Sequence, residues 1–183
     1  MSKTYHLTAP LNDADVVQLK AGDIVYLTGV VYTARDAAHK KLVDLLDAGQ
    51  PLPFDMKGAV IYFVGPTPPK PGDPIGSAGP TTSYRMDSYS PKLINEQGLK
   101  GMIGKGKRNQ DVIDACVNSK AIYFGATGGA GALLARQIKS AEVIAYPELG
   151  PEAIRKLEVV DFPLTVINDT FGADLYKMGR AQY

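Results

Sequence analysis

The sequence predicts an α/β fold, and two observations carry that expectation. From Asp23 onward, apolar runs rich in β-branched and aromatic residues alternate with helical patterns. Hydrophobic residues make up 45% of the 183 positions, enough to fill a core and too many for a disordered chain. The run DIVYLTGVVYT (Asp23 to Thr33) reads as a strand. In DAAHKKLVDLLDAG, Ala38, Leu42, Leu45 and Leu46 fall at i, i+4, i+7 and i+8, and Gly49 ends the predicted helix. AVIYFVG (Ala59 to Gly65) is a short continuous apolar run, the pattern of a strand covered on both faces. From Pro66 to Pro91 this alternation breaks into a long proline- and glycine-rich loop, a kind usually functional or disordered. Ser90 is then expected to cap a helix, PKLINEQ, closed by Gly98. LKGMIG reads as a strand, Gln110 to Asn118 as a helix and AIYFG as a strand. Beyond them the pattern gives a glycine-opened helix GGAGALLARQIKS, a strand EVIAYPE, a helix PEAIRKLEV begun at Pro151, and a last strand PLTVIND. No repeat or linker divides the chain, so residues 1–183 are expected to form one domain.

Charge narrows the function classes. Twenty basic and 19 acidic side chains leave a formal charge of +1, which removes the electrostatic case for nucleic-acid or anionic-membrane binding. The single cysteine, Cys116, cannot form an internal disulfide or hold a metal cluster alone, and its amphipathic helix makes it a packing residue. No apolar run approaches the ~20 residues of a membrane span, and MSKTYHLTAP lacks a signal-peptide core, so a cytoplasmic protein is expected.

Four segments could carry chemistry. In GATGGAG, Gly125, Gly128 and Gly131 form a GxxGxxG turn between strand and helix, with Glu148 17 residues after Gly131. Its late position argues against a dinucleotide fold, which places this turn after its first strand. Close helix–sheet packing and an anion-binding helix start both remain open. GPTTSYRMD gathers Thr81, Thr82, Ser83 and Arg85; it suits a carboxylate ligand, against the alternative of a self-bonded polar turn. TARDAAHK sets Arg35 at a strand end, where α/β sheets bind ligands, unless it merely pairs with Asp36 or Asp87. His39, four residues on, reads as a packed, hydrogen-bonded side chain. GKGKRN offers Lys105 between glycines, while Lys107 and Arg108 read as solvated turn residues, so Arg108→Ala is expected to be nearly neutral.

These segments, with AYPELGPEAIRKLEVVDFPLTVINDT after them, occur in the order found in the iron–sulfur hydro-lyases. From about residue 7 onward the chain resembles the β subunit, or C-terminal half, of class I fumarase and L(+)-tartrate dehydratase. The resemblance implies a swivelling β/β/α domain and an α-subunit partner, in an α2β2 assembly, that holds a [4Fe–4S] cluster. It implies a small dicarboxylate substrate, with fumarate hydration to (S)-malate as the first expectation and tartrate dehydration as the second. By motif, Thr81 resembles the catalytic base, Arg35 and Arg85 resemble carboxylate clamps, and Lys105 resembles the substrate-contacting lysine. The alternative of another class is a free-standing module that binds a small anion or nucleotide through GATGGAG.

Overall fold

Residues 2–126 and 131–179 are described by a computed structural model. The chain opens with β1 (Thr4–Ala9) and α1 (Asp13–Val17), two elements the sequence pattern did not announce. Asn12 starts α1 by a reciprocal box: its side chain accepts the Asp15 amide, and the Asp15 carboxylate accepts the Asn12 amide. The expected strand and helix follow as β2 (Ile24–Thr33) and α2 (Asp36–Asp47). Next come β3 (Val60–Tyr62), a 3-10 helix (Ser83–Met86), α3 (Ser90–Gln97), β4 (Gly101–Gly104), α4 (Gln110–Ser119) and β5 (Ile122–Ala126). The chain continues through α5 (Gly131–Ala135), β6 (Ile138–Ala145), a 3-10 segment (Pro147–Glu152), β7 (Ile154–Asn168) and α6 (Leu175–Met178).

The seven strands run in the order β1-β2-β3-β4-β5-β7-β6. The neighbours from β1 to β5 pair in parallel, and β7 lies antiparallel to both β5 and β6. β7 also pairs with β2 along Ile24 to Tyr32, which closes β2, β3, β4, β5 and β7 into a ring. Alternation along the short parallel strands then sorts two cores. Val60, Tyr62 and Phe124 pack with Leu157, Phe162 and Leu164 of β7. Ile61, Phe63, Met102 and Tyr123 point the other way, onto Leu42 of α2, Leu93 of α3 and Cys116 of α4. The result is an α/β domain with strand packed on strand and α2, α3 and α4 on the outer face. Among the described residues, no helix is long and apolar enough to cross a membrane.

Several expectations are corrected. PEAIRKLEV is not a helix: it enters the 15-residue β7, whose backbone is satisfied by β2 and β6 on its two sides. The apolar spacing Ile154–Leu157 imitates a helical stripe, yet Leu157 and Val159 are buried around exposed Glu158, which is strand alternation. Of GGAGALLARQIKS, residues 131–135 are helical and the tail IKS already belongs to β6. Gly128 lies outside the described residues. Ser90 is the first residue of α3 rather than its cap, and its hydroxyl donates to the Met86 carbonyl at 3.0 Å. Gly98 does end α3, at φ 79°.

Candidate functional site

The loops leaving β2, β3 and β4 meet at the C-terminal ends of these parallel strands, the usual ligand edge of such a sheet. Arg35 is the residue before α2, and its side chain lies against Gly65 just beyond β3. A Cβ on Gly65 would stand 2.7 Å from Arg35 Nη1, so a larger residue there would make the guanidinium shift. The Thr81 amide donates to the Phe63 carbonyl at 2.7 Å, which draws the proline-rich loop back onto the end of β3. Lys105 continues the edge: its amide donates to Thr81 O at 3.3 Å, and its carbonyl accepts the Ser83 amide at 2.9 Å. Thr82 and Lys105 thus form a parallel bridge, an extra rung where the sequence pattern showed only loop. Gly104 permits this approach, because a Cβ there would collide with the Ser83 hydroxyl.

Arg85 stands on the 3-10 helix, and its Nε lies 3.4 Å from Asp36 Oδ2 at the start of α2. Both side chains are about 40% exposed (40% and 39%), so this ion pair orients Arg85 more than it stabilises the fold. Arg35 pairs with neither carboxylate weighed for it: Asp36 faces Arg85, Asp87 faces Arg108, and Arg35 Nε is buried without a partner. The structure therefore gathers Arg35, Thr81, Arg85 and Lys105 from three loops onto one edge. Two guanidiniums, an ammonium and hydroxyls can bind a small dianion there. A cleft of about 1050 Å³ between α3 and α4 lies off this edge and includes none of the four.

His39 lies beneath them, fully buried. Its Nδ1 donates to the Arg35 carbonyl at 2.8 Å, and Phe63 meets the ring edge-on at 5.3 Å. Burial holds its pKa down at about 4, against 6.5 for an ordinary histidine. Between those values the unfolded chain takes up a proton that the folded chain refuses, so this contribution to stability is complete above 6.5 and lost on acidification. The loss amounts to about 3 kcal/mol by pH 4. A series of thermal melts should show it, and His39→Asn should flatten that limb. An unchanged limb in the variant would assign the acid sensitivity to other groups.

Arg108 overturns its expected role as a solvated turn residue. Its guanidinium is buried, paired with Asp87 at 2.6 Å and placed over the rings of Phe63 and Tyr123. Sequence reasoning missed it because Asp87 is 21 residues away and nothing local distinguishes it from exposed Lys107.

Comparison with known proteins shows the family of the chain. A family model described as the fumarase C-terminus matches residues 2–179. The chain belongs to the fumarase C-terminus family. Relatives include the anaerobic class I fumarate hydratase of Escherichia coli K12, 44% identical over 93% of this chain and 32% of that protein. Fumarate hydratase 2 of Leishmania major is 42% identical over 87% of the chain and 28% of that protein. The L(+)-tartrate dehydratase subunit beta of E. coli K12 is 36% identical over 92% of the chain and 85% of the subunit. The chain thus spans about a third of the curated fumarate hydratases it matches, and most of a β subunit. An iron–sulfur cluster does not fit the residues present. Cys116 is the one cysteine, burial pushes its thiol up to about 12, and it packs inside the helical core. Among the described residues, no group of three or more histidine, cysteine or acidic side chains could hold a metal.

Proposed function

We propose that this chain is the β-type catalytic domain, over residues 1–183, of a class I fumarate hydratase that hydrates fumarate reversibly to (S)-malate. The observation that carries the reading is the convergence of Arg35, Thr81, Arg85 and Lys105 on one sheet edge. Their chemistry suits this reaction. Arg35 and Arg85 clamp the two carboxylates of the substrate. Lys105 stabilises the negative charge that builds on one carboxylate as the neighbouring carbon loses or gains its proton. The Thr81 hydroxyl oxygen carries that proton, and its alkoxide is made accessible by adjacent cationic charge and by exclusion of water. Family membership supports the swivelling β/β/α assignment, as do the ring of strands and the outer layer of α2, α3 and α4. An α subunit holding a [4Fe–4S] cluster completes the site, in an α2β2 assembly working in the cytoplasm. The existence of relatives that are separate β subunits supports this division.

The coverage of those tartrate dehydratase β subunits also favours a second reading, dehydration of L(+)-tartrate by the same clamps. Anaerobic reconstitution with a three-cysteine α-type chain, assayed with fumarate, malate and tartrate, tests both. Fumarate and malate should interconvert, whereas turnover of tartrate alone would select the second reading. The isolated chain should be colourless and inactive. A brown preparation with stoichiometric iron and sulfide, made without a partner, would overturn the β-subunit reading.

A further inference from the structure

The basic segment after β4 ends in a side chain that the proposed reaction does not use. Arg108 Nε lies 2.6 Å from Asp87 Oδ1, its Nη2 donates to Ser90 Oγ at 2.8 Å, and its Nη1 lies 3.4 Å from the Met102 sulfur. Its guanidinium carbon stands 4.8 Å from the Tyr123 ring centre and 5.2 Å from that of Phe63. The second Asp87 oxygen accepts the Asn109 amide at 2.9 Å. The Tyr123 hydroxyl lies 2.8 Å from both the Ser83 hydroxyl and the Gly106 carbonyl.

Part of this network adjoins the residues of the site. Asp87 and Met86 follow Arg85, Ser83 follows Thr81 by two, and Gly106 follows Lys105. Burying a guanidinium and a carboxylate costs solvation, and an apolar pair could fill the same space with equal or better stability. What an apolar pair lacks is a planar fork that fixes distance and direction between two segments. We propose that Arg108, buttressed by Tyr123, is a positioning residue that sets the spacing between Lys105 and the Thr81–Arg85 segment to that of a short dicarboxylate. This inference rests on the functional reading above.

Arg108→Lys keeps the charge and loses the fork. In the reconstituted complex it should lower kcat/KM for fumarate by about 10-fold or more, and the loss should not multiply with that of Lys105→Ala. With Lys105 already removed, Arg108→Lys should cost less than about 2-fold. A general weakening of the fold would instead give multiplying losses, and that result overturns the proposal. Activity of Arg108→Lys within about 2-fold of the parent overturns it too. Should Arg108→Lys fail to fold, Tyr123→Phe removes only the hydroxyl and decides the question by the same cycle. A complex that turns over no substrate with the parent chain refutes the functional reading instead. In that case amide exchange in the isolated chain tests the spacing: Arg108→Lys should speed exchange at Lys105 and Ser83 while leaving β1 and β2 unchanged. Unaltered exchange at both positions would overturn it.

Discussion

In the reconstituted enzyme, Arg35→Ala and Arg85→Ala are each expected to lower kcat/KM by about 30- to 1000-fold. That range corresponds to losing a charge-assisted carboxylate contact worth about 2–4 kcal/mol in a site closed to water. Stability should hardly move for Arg85, whose ion pair with Asp36 is exposed. The two variants should still differ. Removing Arg35 empties the space kept open by Gly65, and the Gly65 backbone stays in place. Removing Arg85 frees Asp36, whose carboxylate then faces the substrate dianion and adds repulsion to the lost contact. The Arg85 loss should therefore be partly recovered in Arg85→Ala/Asp36→Asn. Lys107→Ala, exposed on the loop that bears Lys105, is the neutral comparison. Steady-state kinetics with matched thermal melts measure all four. Equal losses for Arg85 and Lys107 would show that cationic charge near the edge matters and that clamp geometry does not.

Thr81→Ala should lower kcat by about 100-fold with KM little changed, the pattern of a lost proton-transfer group. The backbone makes this substitution clean, because Thr81 is held by its amide to Phe63 and its carbonyl to Lys105, bonds that an alanine keeps. Thr81→Ser should keep part of the activity. Thr82→Ala leaves the proton-carrying hydroxyl in place and disturbs only the side chain at the bridge to Lys105, so its effect should be smaller. Gel filtration must show a correctly assembled complex in each case. Near-normal kcat for Thr81→Ala in such a complex would make Thr81 a residue that positions substrate, with the base elsewhere.

The placement of residues at the sheet edge was legible where it depends on their own chain neighbours. Arg35 at a strand end and Lys105 between glycines are local patterns, and β2, α2, α3 and α4 formed where periodicity put them. What failed depended on partners distant in sequence. The start of β7 carries a helical pattern because its strand character comes from lying between β2 and β6, which no window around Ile154 contains. Arg108 reads locally as solvated because its acceptors, Asp87 and Ser90, lie 21 and 18 residues back. The rung between Thr82 and Lys105 was hidden for the same reason, since a loop rich in glycine and hydroxyls carries no strand signal until a second segment is laid beside it.

The pairing of β2 with β7 also dictates an order of events as the polypeptide leaves the ribosome. Ile24 finds its partner in Thr165, so the strand that needs a neighbour is made long before the neighbour exists. Until β7 emerges, Val25, Leu27 and Val31 lack Leu157, Val159, Phe162 and Leu164 among their core neighbours. Loop closure over so many residues is slow, and surfaces left open in the meantime attract other nascent chains. The growing chain is therefore vulnerable until β7 has emerged, and β7 acts as the clasp that ends that exposure.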